Sequence, residues 1–328
     1  MKKRIITGVI FALLIVPITT VPILFNLFQV IMTLFVIIAA IELIRMYEKE
    51  KKFDKGIALV IVLLTVASFL SVGGVFSDIQ SPGNEFWRNP LEDIRNQLTI
   101  VTLIVTIVTF SLLVFSPNFG GADVGKVLTV VNYVALGAAS VMILRVLGTK
   151  FIVYLLLIST VTDTGAYFFG IKFGRKIFGP KGMAPNISPK KSWEGAIAGT
   201  LLATIIASSF ALFYGVFFPS TGFLGNFLNS NDNQTILDGF SSLGEESRGI
   251  QALILIPVTL IASIVGQIGD LVASKLKRTY DIKDFGSVFP GHGGVLDRFD
   301  SIFFVAMFLA AIFLWVSQSA PLVPFSFS

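Results

Sequence analysis

Residues 274 to 300 read SKLKRTYDIKDFGSVFPGHGGVLDRFD and lie between two apolar runs. This stretch holds five basic residues (Lys275, Lys277, Arg278, Lys283, Arg298), four carboxylates (Asp281, Asp284, Asp297, Asp300), four glycines, one proline and the only histidine of the chain. Cations neutralise phosphate oxygens, carboxylates hold hard metal ions, and glycine lets backbone amides approach an anion closely. Their concurrence points to phosphate chemistry at a membrane surface.

Spacing sharpens this reading. Asp270, Ser274 and Lys277 are separated by four and then three residues, which puts a metal ligand, a hydroxyl and an ammonium on one helical face, with Arg278 turned about 100° away. Proline and three glycines between Pro290 and Gly294 cannot sustain a helix, so Phe289–Gly294 is expected as a loop able to cradle an anion. Asp297, Asp300 and Ser301 then fall at i, i+3 and i+4 on the next helix. Carboxylates at the ends of two helices beside a basic loop suit Mg²⁺, which takes one or two carboxylates plus substrate phosphates. Helix capping and a salt bridge to Arg298 also account for Asp297 and Asp300, and capping is compatible with metal binding. His292, between two glycines, reads as a phosphate or base contact, or as a loop-orienting hydrogen bond, rather than a metal ligand.

A second charged stretch runs from Asp163 to Glu194. Asp163 sits inside an apolar run, where a carboxylate costs about 2.5 to 3.5 kcal/mol, so it should face protein interior or a wet cavity. Ser188-Pro189-Lys190-Lys191-Ser192-Trp193-Glu194 combines a turn, a lysine pair and a helix start, with Ser192 as N-cap and Glu194 in the first turn. Alone, the lysine pair is a topology anchor; beside the later segment it becomes a candidate phosphate contact.

Hydrophobic residues make up 54% of the 328-residue chain, charged residues 14%, and mean hydropathy is +0.83, values suited to a multi-pass membrane protein. Apolar runs long enough to cross a bilayer, about 20 residues each, lie near 5–22, 24–44, 57–76, 98–116, 127–146, 151–171, 194–217, 250–272 and 299–318. An amino terminus in the cytoplasm places 20 of the 25 basic residues on the inner side and makes both charged segments cytoplasmic. The expected fold is therefore an all-α polytopic bundle of about nine transmembrane helices with its active site at the cytoplasmic face. Residues 1–150 are expected as amino-terminal transmembrane helices and 151–328 as a carboxyl-terminal catalytic domain. No cysteine is present, which excludes disulfides, thiolate metal sites and cysteine nucleophiles.

Ser274-Lys275-Leu276-Lys277-Arg278, then Lys283-Asp284, then the run from Pro290 to Asp300 closely resemble the phosphatidate cytidylyltransferase (CDP-diacylglycerol synthase) signature. Asp163, Gly165-Ala166-Tyr167, Gly170, Ser188-Pro189-Lys190-Lys191 and Glu194-Gly195 resemble an earlier block of that family. The likeness covers residues 160 to 301; nearer the amino terminus it rests on hydropathy and Glu42. The stretch between Gly174 and Ser188 and the outer loops near 77–97 and 218–249 look expanded, which affects loop geometry rather than the charged motifs.

The resemblance implies a Mg²⁺-dependent nucleotidyltransferase that makes CDP-diacylglycerol and pyrophosphate from CTP and phosphatidate. It implies catalytic roles for Asp270, Lys277, Asp284, His292, Asp297 and Arg298. It implies ligand binding by Ser188, Lys190, Lys191, Ser274, Lys277, Arg278, Lys283, Gly293 and Gly294. Asp270 and Asp297 are the expected metal ligands with Asp300 a weaker one, with or without a second cation. A homodimer in the plasma or inner membrane, lipid contacts and no nucleic-acid partner complete the expectation. A CTP-dependent lipid kinase is the nearest rival enzyme; a transporter or a lipid-binding scaffold explains the spans but not the carboxylates within a glycine-rich basic loop.

Overall fold

The computed structural model describes residues 17–19, 21, 24–73, 88–179, 182–219, 221–222, 235–237, 242–289, 291 and 293–319. Its helices are α1 (Phe25–Tyr47), α2 (Lys55–Val72), α3 (Arg88–Phe115), α4 (Gly121–Val130), α5 (Gly137–Leu147), α6 (Thr149–Phe173), α7 (Trp193–Leu212), the short α8 (Tyr214–Phe217), α9 (Arg248–Thr279) and α10 (Leu296–Ser319). A π-helical segment, Val131–Leu136, joins α4 to α5, so 121–147 runs as one helical rod. No strand occurs among the described residues, only the isolated bridges Ala184–Ser188 and Phe289–Gly293.

Among the described residues, eight helices are long and apolar enough to cross a membrane, with mean hydropathies of 1.5 to 2.6. They correspond to the expected spans from 24–44 onward. The first expected span, 5–22, lies largely outside the described residues. The α9 span contains Pro257, which cannot donate to the helical ladder, a defect that membrane helices tolerate.

The chain divides into two compact units. One lies within Met1–Ile143 and Leu276–Phe299; the other lies within Leu144–Lys275 and Asp300–Ser328. In the first unit α1 buries Phe28, Met32, Val36, Ala39, Ala40, Leu43 and Tyr47, a stripe spaced by three and four residues, while Leu27, Val30 and Leu34 stay exposed. Because both faces are apolar, shape rather than polarity sets the rotation of this helix. Glu42 lies among the buried residues.

In the second unit α6 and α7 meet through small residues. A Cβ added at Gly199 would lie 2.5 Å from the Thr162 carbonyl oxygen and 2.8 Å from the Ala166 nitrogen, and one at Gly165 would lie 3.0 Å from the Gly199 Cα. Backbones in such contact leave no room for a side chain. Hydroxyls and one amide then bind the helices together: Tyr154 to Thr259 (2.6 Å), Ser208 to Thr259 (3.0 Å), Thr162 to Ser263 (2.7 Å), and Gln267 to Thr200 (2.7 Å). Each satisfies a buried polar group that would otherwise cost stability in an apolar interior.

Gly199→Ala should lower stability by ~1–3 kcal/mol through overpacking. Gly56→Ala on α2, where an added Cβ meets nothing within 4 Å, should be neutral or stabilising by about 0.5–1 kcal/mol. Thermal unfolding of the two variants in detergent checks this, and equal melting temperatures would contradict the close α6–α7 contact.

Candidate functional site

The site residues of the first unit lie on the end of α9, the segment after it and the start of α10. Lys277, in the last turn of α9, donates to Asp297 Oδ1 at 2.7 Å and lies 5.0 Å from the Phe285 ring centre. The second Asp297 oxygen accepts the amides of Phe285 (2.8 Å) and Gly294 (2.9 Å). Asp297 is thus held by Lys277 and two backbone amides, whereas Arg298 is exposed. Lys283, Asp284 and Arg278 are exposed as well, and Arg278 donates to the Ile282 carbonyl at 3.3 Å.

The expected loop forms, closed by the Phe289 amide on the Gly293 carbonyl at 2.9 Å. Gly293 has φ +86°, a backbone conformation that a side chain strains, and a Cβ there would press on Asp297 Oδ2 at 2.7 Å. Gly294 is buried and supplies an amide to Asp297, so its backbone is engaged by the protein's own carboxylate. His292 and Pro290 lie outside the described residues.

Glu42 is the contributor that the charged motifs do not reveal. Its carboxylate accepts the amides of Val295 and Leu296, both at 3.0 Å, and so meets two donors at the α10 amino terminus. Phe35, seven residues earlier on α1, packs against Phe289 (6.3 Å) and Phe299 (5.5 Å), and Tyr47 packs edge-on against Tyr280 (5.2 Å). Burial pushes the Tyr280 phenol above its ordinary pKa, with Lys126 opposing the shift. Near Tyr47, Asp123 also collects donors: Lys51 at 2.8 Å, the Gly120 amide at 2.9 Å and Lys126 at 3.5 Å. A lone glutamate after small residues is the only sequence signal for Glu42, and the Asp123 cluster has none beyond its charges.

In the second unit Lys191 pairs with Asp270 at 2.5 Å, and Ser274 donates to the other Asp270 oxygen at 3.4 Å, the i, i+4 contact its spacing implies. Ser192 caps α7 by accepting the Gly195 amide at 3.2 Å, as expected. Glu194 does more than serve the helix dipole: one oxygen accepts the amides of Ile177 and Phe178, both at 2.9 Å, and ties down the segment before α7. Arg175 donates to the Pro189 carbonyl, and the Met183 amide reaches the Lys191 carbonyl at 2.9 Å. Ser188 takes part through its amide on the Ala184 carbonyl at 2.8 Å, and Lys190 is exposed. Asp163 keeps an exposed side and accepts from Ser301 at 3.4 Å, Ser301 in turn meeting Ser159 at 3.1 Å. Asp300 is half-buried, and its Oδ1 accepts the Ser301 amide at 2.8 Å.

No group of three or more His, Asp or Glu side chains converges among the described residues. The donor set fits Mg²⁺ all the same, because that ion asks for hard oxygens and few of them from the protein. Asp270 keeps 31% of its side chain exposed and holds only a lysine and a hydroxyl, both exchangeable for a cation. Asp297 has spent three of its roughly four lone-pair sites, which leaves room on Oδ1 beside Lys277.

The Lys277–Asp297 pair has side chains 12% and 3% exposed, the Lys191–Asp270 pair 26% and 31%. Asp297→Ala strands a buried ammonium and two amides and should cost ~3–5 kcal/mol. Asp270→Ala should cost about 1 kcal/mol or less. Thermal unfolding of the two variants side by side checks the ranking.

Residues 2–316 match the model of the Cytidylyltransferase family. A Bacillus subtilis protein named phosphatidate cytidylyltransferase is 30% identical over 315 residues, covering 94% of this chain and 96% of the relative. A Staphylococcus aureus protein of the same name is 37% identical over 204 residues, covering 62% of this chain; the match spans 64% of that relative's length. A Staphylococcus haemolyticus protein, again so named, is 32% identical over 252 residues, covering 74% of this chain and 79% of the relative. With both charged segments inside the matched region, the chain belongs to the cytidylyltransferase family.

Proposed function

We propose that this protein transfers CMP from CTP to phosphatidate, giving CDP-diacylglycerol and pyrophosphate. The observation that carries the reading is the pairing of one carboxylate with one lysine of a charged segment in each unit, Lys277 with Asp297 and Lys191 with Asp270. The names of the relatives support the substrates. In this reaction a phosphatidate phosphate oxygen bonds to the α-phosphorus of CTP as the α–β bridging bond breaks, and pyrophosphate carries off the electron pair. The nucleophile is already anionic near neutral pH, so positioning and charge neutralisation do most of the work and little base catalysis is needed.

Lys277, Arg278 and Lys283 bind triphosphate oxygens in this reading, and Lys190 and Lys191 bind phosphate from the other segment. Ser188, Ser274 and Gly293 complete the binding set, Gly294 shapes the loop by giving its amide to Asp297, and Arg298, being exposed, takes the phosphatidate head group. Asp284 and His292 orient substrate. Asp270 and Asp297 would hold Mg²⁺, with Asp300 a weaker ligand, with or without a second cation; bound Mg²⁺ would supply charge neutralisation to the phosphate oxygens. Lys191 and Lys277, held beside these aspartates, offer their charge to the phosphate oxygens. The reading further places nine spans and a homodimer in the cell membrane, with amino terminus and active site cytoplasmic.

The test is purified protein with phosphatidate, radiolabelled CTP and Mg²⁺, following lipid-extractable cytidine label and pyrophosphate together. Stoichiometric appearance of both is expected, with chelation of Mg²⁺ stopping it; CDP release with unlabelled lipid would identify a kinase instead. Asp270→Asn and Asp297→Asn should each reduce turnover by about a hundredfold or more while the protein still inserts. Because the chain has no cysteine, Lys190→Cys and Lys283→Cys also report orientation. Both positions are exposed, and an impermeant thiol reagent should label them only from the cytoplasmic side.

A further inference from the structure

Glu42 is 3% exposed, and its carboxylate takes the amides of Val295 and Leu296. The preceding amide, Gly294, goes to Asp297, as does that of Phe285 on the other arm of the loop. Two carboxylates therefore share three consecutive amides, and the rotation of the Gly294–Leu296 backbone that satisfies Glu42 also aims an amide at Asp297. The loop is shaped to admit Glu42: a Cβ at Gly286 or at Gly294 would run into its carboxylate. A helix cap alone asks for a short side chain next to the helix; here the acceptor comes from a residue 253 positions away.

We infer that Glu42 is the positioning residue for Asp297, holding the Phe285–Leu296 loop so that the Asp297 carboxylate and its partner Lys277 present a fixed geometry to the ligands. This rests on the function proposed above. The apolar helix α1 then serves as a template for the charged loop, with Glu42 setting its register and Phe35 and Tyr47 packing on either side of that point.

The test uses the full chain in nanodiscs containing phosphatidate and compares wild type, Glu42→Gln, Glu42→Ala and Gly286→Ala. The last leaves every proposed ligand in place and displaces the Glu42 carboxylate. Hydrogen–deuterium exchange of the 285–297 peptide should rise about tenfold in Glu42→Ala and Gly286→Ala, the loss expected from a buried donor left unmet. Per folded molecule kcat should fall about tenfold or more, the Mg²⁺ half-saturation should rise severalfold, and KM for phosphatidate should stay within about twofold. Glu42→Gln, with one acceptor oxygen retained, should fall between.

Unchanged exchange in all three variants would overturn the proposal. So would faster exchange with kcat and Mg²⁺ half-saturation unaltered, which would make Glu42 a cap and nothing more. Wild type that moves no label from CTP into lipid would sink the functional reading, and the exchange comparison would then decide separately whether Glu42 holds the Asp297 loop.

Discussion

A carboxylate carried into an apolar helical bundle must find donors there, because losing its hydration costs several kcal/mol that only hydrogen bonds or an opposite charge return. Three of the described non-helical segments are arranged around that requirement. Glu194 collects the amides of Ile177 and Phe178 and so draws the chain that leaves α6 against the start of α7. Glu42 and Asp297 divide the amides of Phe285, Gly294, Val295 and Leu296 between them, and the glycine-rich loop has the shape that lets them do so. Asp123 does the same at the start of α4, taking the Gly120 amide and Lys51. In each case a buried acid organises backbone that has no ladder of its own to satisfy it.

The same physics pairs cations with carboxylates at the edge of an apolar protein, each offsetting the other's lost hydration. Lys277 and Asp297 neutralise each other in a nearly buried pair; Lys191 and Asp270 do so with more of each side chain open. A fully paired buried charge adds little net stability but is costly to strand, so such pairs resist loss of one member far more than exchange for another ion. The exposed set, Arg278, Lys283, Asp284 and Arg298, carries no comparable obligation to the fold.

Hydropathy made the spanning helices from α1 onward legible, because long apolar runs have one structural outcome in a membrane. Ser192 as a cap, the Asp270–Ser274 register and the Phe289–Gly294 loop were legible for local reasons: each depends on residues within four or five positions. What escaped the sequence was long-range. Nothing in the stripe of α1 says that Glu42 meets amides near position 295, or that Leu276–Phe299 belongs to the same compact unit as the amino-terminal helices. Asp297 stands in the first turn of α10, as its spacing implies, but its three contacts come from Lys277, Phe285 and Gly294 rather than Arg298.

Within each unit, packing deep in the bundle determines where a charged group points at its end. Thr259, Ser263 and Gln267 recur every four residues on α9, and their bonds to Tyr154, Thr162 and Thr200 fix the rotation of that helix. Asp270 follows three residues later on the same face, so its meeting with Lys191 is settled by one amide and two hydroxyls lying about 5 to 17 Å below it, at 1.5 Å of rise per residue. On α1 the close-packed stripe of Met32, Val36, Ala39 and Leu43 does the equivalent work by shape alone and turns Glu42 toward the loop. A rotation of α1 by one residue, about 100°, would carry the carboxylate off that face and leave the Val295 and Leu296 amides to find other partners. The interior of the bundle is in this sense part of the charged site: it supplies no atom to the chemistry, yet it selects which side chains can supply one.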